Sequence, residues 1–123
     1  MKRIISLGAA AAMLVVTAAP AVAQTAPPPA FAACKACHTV DKGGRNGVGP
    51  NLNGVVGRPA AAVPGFNYSN ALKASKLRWD EATLDQFLAA PTKKVPGTRM
   101  PIGMADAAKR KAIIAFLKAQ GGK

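Results

Sequence analysis

The sequence is poor in side chains that bind metals. It has one histidine, two cysteines and only five Asp and Glu residues. A structural zinc site needs four protein ligands, so the two thiols and one imidazole would have to be completed by carboxylates or by a second chain. The composition therefore disfavours a structural zinc site within this chain.

Aromatic residues and strand patterns are also scarce. Ten prolines and twelve glycines dilute the core-forming residues further. A domain of this size usually needs a metal, disulfides or a cofactor as an extra source of stability. Because no alternating apolar pattern and no internal repeat is present, the sequence predicts one all-α domain with long loops. Its aromatic residues are Phe31, Phe66, Tyr68, Trp79, Phe87 and Phe116.

The chain has one long apolar run, which is too short to cross a membrane. The run extends from Ile4 to Ala19, after two cations, and a membrane-spanning helix needs about 20 apolar residues. The sequence AVA that follows is typical of a signal-peptidase site. We therefore predict a secretory signal peptide over residues 1–23, cleavage after Ala23, and a periplasmic domain over residues 24–123.

The charge of that domain is strongly positive. Removal of Lys2 and Arg3 with the leader leaves 15 basic and five acidic residues, a formal charge of +10. Nucleic acid is one class of partner for such a charge, but export and the absence of a nucleic-acid-binding motif disfavour it. An acidic protein surface reached by electrostatic steering fits better.

Proline and capping signals predict two short helices in the first two thirds of the chain. Proline is tolerated in a first turn, so a helix can extend from about Pro29 to Ala36. Ser69 is an N-cap candidate for a second helix, through Ala74. Between them the glycines and prolines from Thr39 to Gly65 predict one extended loop, and loops of that length are usually functional.

Two further helices follow Trp79. Asp80 and Glu81 suit a first turn, apolar residues follow at helical spacing, and Pro91 ends the helix. Thr92 to Gly103 reads as a second loop. A final helix begins near the N-cap candidate Asp106. Its apolar stripe consists of Ile113, Ile114, Phe116 and Leu117, and it ends at Gly121-Gly122.

The segment CKACH contains both cysteines and the only histidine. Two cysteines separated by two residues occur in zinc sites, in thiol–disulfide exchange and in covalent haem attachment. A thioredoxin-like exchange site expects a βαβ pattern, which is absent. For haem, Cys34 and Cys37 lie one helical turn apart and can both reach one porphyrin edge, and His38 can bind the iron.

The composition limits which residue can be the second axial ligand of the iron. Bis-histidine and thiolate ligation within a monomer are excluded, because no second histidine and no third cysteine exist. After removal of the leader only Met100 and Met104 remain. Pro96 and Pro101 stiffen the loop of Met100, which favours it as a rigidly held donor. Met104, at the entry to the last helix, is the alternative, or it is simply an apolar packing residue.

Three segments together resemble the class I c-type cytochromes, closest to the mitochondrial and bacterial soluble cytochrome c group. They are CKACHTVDKGGRNGVGPNLNGVVGR, PGFNYSNALKASKLRW and FLAAPTKKVPGTRMP, in that order. The match extends from Cys34 to Leu117. The resemblance implies three main helices and long loops wrapped around one covalently bound haem c.

The resemblance also assigns roles to individual residues. Cys34 and Cys37 would carry the thioether bonds, and His38 and Met100 would be the axial ligands. Pro50 matches the position whose carbonyl accepts the N–H of the histidine. The positions that hydrogen-bond or neutralise the haem propionates correspond to Arg58, Tyr68, Trp79 and Thr98. The cations near the exposed haem edge correspond to Lys42, Lys93, Lys94 and Arg99.

The chain departs from the pattern of many relatives in four places. Phe87 stands where many have a tyrosine whose hydroxyl bonds the methionine sulfur. Leu72 replaces a common asparagine of the internal water network. The segment after Met100 is one residue short. The N-terminal helix is also short, so we expect it to pack against Phe116 mainly through Phe31.

The resemblance implies a monomeric electron carrier and not an enzyme. A cytochrome bc complex would be the donor, and a terminal oxidase or peroxidase the acceptor, each met through an acidic docking surface. The rival function is a five-coordinate haem that acts on peroxide or senses a gas. It would need a distal acid–base group, and Arg99 is the only nearby candidate.

Overall fold

The structure is a computed structural model that describes residues 8–18 and 26–121. A 3₁₀ turn at Pro29–Phe31 leads into the first helix. In chain order the helices are α1 (Ala32–Lys35), α2 (Asn70–Ser75), α3 (Glu81–Ala89), α4 (Pro91–Lys94) and α5 (Ala107–Gly121). The described residues contain no strand, only an isolated antiparallel bridge between Pro59 and Arg78. The all-α expectation is confirmed.

Polar side chains begin three of the helices. The Ser69 hydroxyl accepts the Leu72 N–H at the start of α2, as predicted. Asp80 also caps a helix: its carboxylate accepts the Thr83 N–H, so it precedes the first turn of α3 and does not lie in it. Asp106 does the same for α5, by accepting the Lys109 N–H over 2.9 Å. Each cap satisfies a backbone donor that the helix itself leaves unpaired.

The loop predicted over 92–103 is helical at its start. The proline at position 91 ends α3, as expected, but it also occupies the first turn of the short helix α4. Proline fits a first turn because its missing N–H would have no intrahelical partner there, and its φ already suits a helix. Residues 95–103 continue without regular structure, as predicted.

The core lies where α3, α5 and the N-terminal turn meet. Phe31 is fully buried and packs against Phe116, with ring centroids 4.9 Å apart. This contact was expected, because the short N-terminal helix offers little other apolar surface. Trp79 packs against Phe87 with centroids 5.0 Å apart, next to the α3–α5 interface. The apolar stripe of α5 is buried, as predicted.

The apolar run of the leader is only partly described. Residues 8–18 form no helix, and Met13, Leu14, Val15 and Val16 are exposed. Among the described residues, no helix combines the length and the apolar character that a membrane crossing requires. The expected cleavage position after Ala23 lies outside the described residues.

Candidate functional site

The two cysteines and the histidine of CKACH lie on one continuous helical turn. Cys34 belongs to α1, and its carbonyl accepts the N–H groups of Cys37 and His38, at 3.1 and 3.0 Å. Both thiols are free and half-buried. The turn therefore holds the three side chains in one small region, as the spacing predicts.

The Cys34 thiol lacks the environment of a reactive redox cysteine. Burial raises the pKa of the Cys34 thiol, and the neighbouring Cys37 raises it further. Cysteines that exchange disulfides rapidly instead have a lowered pKa, because the thiolate is the nucleophile. Together with the absence of strands from residues 8–18 and 26–121, this environment disfavours a thiol–disulfide oxidoreductase.

The His38 imidazole is oriented by a backbone carbonyl of the long loop. Its Nδ1 lies 2.7 Å from the carbonyl oxygen of Pro50, which is the contact that the family resemblance implies. Because a carbonyl can only accept, Nδ1 carries the proton and Nε2 keeps its lone pair. Burial lowers the pKa of His38, and the bond to Pro50 partly opposes this shift. A neutral imidazole with a free Nε2 is the form that binds metals.

Gly49 makes room for this arrangement. A Cβ atom at this position would overlap the His38 ring at Cε1, Nδ1 and Nε2. The Gly49 N–H also donates to the Cys37 carbonyl over 2.8 Å. The backbone of the loop therefore passes directly against the imidazole, and only glycine permits that approach.

An asparagine that sequence reasoning missed closes the long loop. The Asn51 amide donates to the Thr39 hydroxyl over 2.8 Å and to the Asp41 carbonyl over 2.9 Å. The Leu52 N–H donates to the Thr39 carbonyl. Asn51 is 9% exposed, and buried asparagines are retained where their hydrogen bonds are satisfied. It thereby fixes the neighbouring Pro50. The only signal in the sequence was the density of asparagines in RNGVGPNLN.

Arg58 is the most informative polar residue of the site. Its two Nη atoms donate to the carbonyls of Asn51 and Asn53, each over 3.2 Å. Burial lowers the pKa of its guanidinium, and Tyr68 opposes that shift. The Nε atom is buried without a hydrogen-bond partner, alone among the side-chain N and O atoms of the described residues. Such a donor calls for an acceptor that the protein chain does not provide.

The other three residues matched to the propionates are far apart in the sequence, and one of them is hydrogen-bonded to Arg58. Trp79 is buried, and its backbone N–H donates to the Arg58 carbonyl over 2.8 Å. The Tyr68 hydroxyl accepts the Val63 N–H over 3.0 Å. The Thr98 hydroxyl accepts the Met100 N–H over 3.2 Å. The structure thus brings Arg58 and Trp79 together, while Thr98 positions the backbone of Met100.

The two methionines are held differently. Both side chains are half-buried against the hydrophobic core. The backbone of Met100 is bonded to Thr98 within its own loop. Met104 is attached to α3 through its N–H, which donates to the Leu88 carbonyl over 2.7 Å. The segment after Met100, which is one residue short, is therefore joined to α3 by a backbone hydrogen bond at Met104.

These features fit a covalently attached haem. The chain provides two free thiols one helical turn apart, a neutral imidazole with a free Nε2, and two half-buried methionines. It also provides a buried arginine donor that lacks an acceptor, which a haem propionate would supply. Soft sulfur and imidazole nitrogen are the usual axial donors to haem iron.

Comparison with known proteins gives consistent matches. The family model for cytochrome c matches residues 29–120. A cytochrome c2 from Rhodoblastus acidophilus is 50% identical over 97 residues, which cover 76% of this chain and 91% of that protein. A cytochrome c-type cyt cy from Rhodobacter capsulatus is 49% identical over 85 residues, or 68% of this chain and 42% of that protein. A solved structure of cytochrome cH from Methylobacterium extorquens is 54% identical and has a TM-score of 0.68, covering 73% of this chain and 91% of that one.

Proposed function

Because the chain belongs to the cytochrome c family, we propose that it is a periplasmic electron carrier whose haem iron is bound by His38 and Met100. The family carries haem c and transfers electrons, so this chain is an electron-transfer haem protein and not an enzyme. The observation that carries the proposal is the 2.7 Å contact between His38 Nδ1 and the Pro50 carbonyl, which leaves Nε2 free for iron.

Each residue of the site would have its own role in binding the haem. Cys34 and Cys37 would hold the haem by thioether bonds, and His38 and Met100 would supply nitrogen and sulfur ligands. Haem c supplies reversible one-electron chemistry between ferric and ferrous iron. A His/Met pair raises the reduction potential relative to other axial ligands. The guanidinium of Arg58 would offset propionate charge through its unpaired Nε.

Two further observations favour an electron carrier over a five-coordinate haem. Met100 is half-buried against the core in a loop whose backbone Thr98 holds, so the chain itself would supply a ligand for the sixth position. Arg99, the only distal acid–base candidate, donates through Nη1 to the Asn67 carbonyl over 2.8 Å and is exposed. A guanidinium engaged in this way at the surface is a poor proton donor for bound peroxide.

The leader supports export to the periplasm. Residues 8–18 take no part in the core, and four large apolar side chains of this segment are exposed. Such a segment is unfavourable in a mature protein in water, and its removal as a signal peptide resolves this problem. We propose a mature domain that begins after Ala23 and functions as a monomer.

The proposed partners are redox proteins with acidic docking surfaces. A cytochrome bc complex would donate the electron, and a terminal oxidase or peroxidase would accept it. The formal charge of +10 after removal of the leader favours fast, weak and salt-sensitive encounters with such surfaces.

The visible spectrum of the exported protein, oxidised and reduced, tests the ligand assignment. A weak far-red band of iron–methionine bonding should be present in the wild type, lost in Met100→Ala and retained in Met104→Ala. The Met104→Ala variant is the matched control, because it removes the other half-buried methionine. A wild-type spectrum without this band, together with ready binding of carbon monoxide, would instead support an open sixth position.

A further inference from the structure

One arginine of α5 reaches back to the segment that follows Met100. The Arg110 side chain is only 12% exposed, and its Nε donates to the Asp85 carboxylate of α3 over 2.8 Å. Its Nη1 donates to the consecutive carbonyls of Met104 and Ala105, over 3.0 and 2.7 Å. One guanidinium therefore joins α3, α5 and the intervening chain.

That chain, residues 101–106, is here called the strap. Its residues are exposed except for the half-buried Met104, and Ile102 is 73% exposed. The strap has little apolar burial of its own. Its attachment to α3 consists of the Met104 N–H bond to the Leu88 carbonyl and a close approach of Gly103 to the same carbonyl. Arg110 adds a second, charge-assisted attachment, through its hydrogen bonds to the Met104 and Ala105 carbonyls of the strap.

We propose that Arg110 is a positioning residue that keeps Met100 on the iron by fixing the strap to α3. We expect Met100 to leave the iron through an outward movement of its loop, and the strap is the C-terminal end of that loop. Arg110 thereby limits how readily a small ligand reaches the sixth coordination position. The proposal deepens the proposed function and rests on Met100 being the ligand.

The geometry of the guanidinium suits this task. Arginine presents several donors in a fixed plane, so one side chain can hold a carboxylate and two carbonyls at once. A lysine at this position would keep the charge but would have a single ammonium group. The carboxylate of Asp85 anchors the group on α3 and is itself half-exposed. The three acceptors come from two separate elements, α3 and the strap, so the link depends on shape as well as on charge.

A second ion pair on the same two helices provides a matched control. Lys118 Nζ lies 3.3 Å from the Glu81 carboxylate, and both side chains are exposed, at 62% and 57%. The pair joins α5 to α3, as the Arg110 pair does, but no hydrogen bond connects it to the strap. Lys118→Met and Arg110→Met therefore remove one cation each from the same helix, and only the second releases the strap.

The experiment measures the rate at which imidazole binds to the ferric holoprotein, followed by the change in the visible spectrum. Arg110→Met should bind imidazole on the order of tenfold faster than wild type, because a partly buried charge-assisted bond is lost. The rate for Lys118→Met should stay within about twofold of the wild-type rate, because exposed ion pairs contribute little to stability. Equal rates in the two variants would overturn the proposal.

Hydrogen exchange separates strap release from general loss of stability. In Arg110→Met the Met104 amide should exchange faster, while amides in the buried turns of α5, such as Leu117, stay protected. If the Met104 amide and the α5 amides both exchange faster, the substitution lowers the stability of the whole protein and the positioning role is wrong. Arg110→Lys should resemble Arg110→Met, and a wild-type rate in that variant would overturn the requirement for the planar group.

The two proposals fail in distinguishable ways. A wild-type protein without the iron–methionine band overturns the ligand assignment, whatever Arg110 does. Suppose instead that the wild type shows the band and that Met100→Ala loses it. If Arg110→Met then binds imidazole no faster than Lys118→Met, only the role of Arg110 is overturned.

Discussion

Phe87 stands at the position where many relatives have a tyrosine. Its ring is 6% exposed and lies against Trp79, and Met100 packs against the same core. A phenyl ring cannot donate a hydrogen bond to the methionine sulfur. We predict that Phe87→Tyr raises the midpoint potential by up to roughly 40 mV, the equivalent of one net hydrogen bond in a one-electron couple. The hydroxyl draws electron density from the sulfur and so disfavours ferric iron. A redox titration measures this change.

The control for this substitution is Phe116→Tyr. Phe116 is 3% exposed and packs against Phe31 at the N-terminal turn, so the same hydroxyl is added to a buried ring in another part of the core. Its potential should remain at the wild-type value, even if an unpaired hydroxyl lowers stability. A rise of equal size in both variants, or no rise in Phe87→Tyr, would contradict the explanation through the sulfur.

The residues of the haem-attachment motif could be predicted from sequence because their chemistry is local. Cys34, Cys37 and His38 are separated by so few residues that one helical turn determines their arrangement. The contact of His38 with Pro50 spans twelve positions and came only from the resemblance. The roles of Asn51 and Arg110 were not predicted, because their partners are distant in sequence and include backbone carbonyls, which leave no sequence signal.

At the scale of helices, two of the caps and most of the helix ends could be predicted, but the short helix α4 could not. Ser69 and Asp106 were expected as N-caps and act as such, since a short polar side chain before an apolar run is a strong local signal. The helix α4 was missed because Pro91 was taken only as a stop for α3. The same residue can end one helix and begin another, and local sequence does not distinguish these cases.

The Asp80 cap makes a prediction about pH. The hydrogen bonds from Thr83, the backbone N–H first, hold the pKa of the Asp80 carboxyl below its ordinary value of 3.8. A lowered folded-state pKa contributes stability above the unfolded-state pKa, and this contribution is lost as the pH falls through the folded-state value. Asp80→Asn retains a capping oxygen but has no charge to interact with the helix dipole.

We therefore expect wild type to be more stable than Asp80→Asn at about pH 7, and this difference to disappear as the pH falls below about 3.8. Denaturant unfolding of the holoproteins at several pH values measures it. Ser69→Ala is a suitable control, because a neutral cap should cost about 1 kcal/mol with little dependence on pH. A difference for Asp80→Asn that persists unchanged in acid would show that the charge is not the cause.

Over the whole molecule, the acidic residues occupy a restricted part of the chain. Four of the five lie at α3 or just before α5, and the fifth, Asp41, lies in the long loop. Two of the four are paired with cations of α5. Of the cations matched to the haem edge, Lys94 donates to the Gln86 side chain of α3, whereas Lys93 is exposed at the end of α4. The positive charge is therefore least compensated outside the α3–α5 region.

This distribution predicts how electron transfer depends on salt. The second-order rate of reduction by an acidic redox protein should fall by roughly tenfold or more between about 0.05 M and 0.5 M ionic strength, because salt screens the attraction that brings the partners together. Stopped-flow mixing with such a partner measures it. A flat salt profile would contradict electrostatic steering.

Two charge reversals test whether steering has a direction. Lys93→Glu and Lys111→Glu change the net charge by the same amount, but Lys93 of α4 is one of the cations that the family resemblance matches to the haem edge, while Lys111 lines the groove between α3 and α5. If the partner docks at the haem edge, Lys93→Glu should slow the reaction several-fold at low salt, Lys111→Glu should slow it much less, and the difference should vanish at high salt. Equal slowing in the two variants would mean that net charge alone controls the encounter, and a larger effect of Lys111→Glu would place docking at the α3–α5 groove.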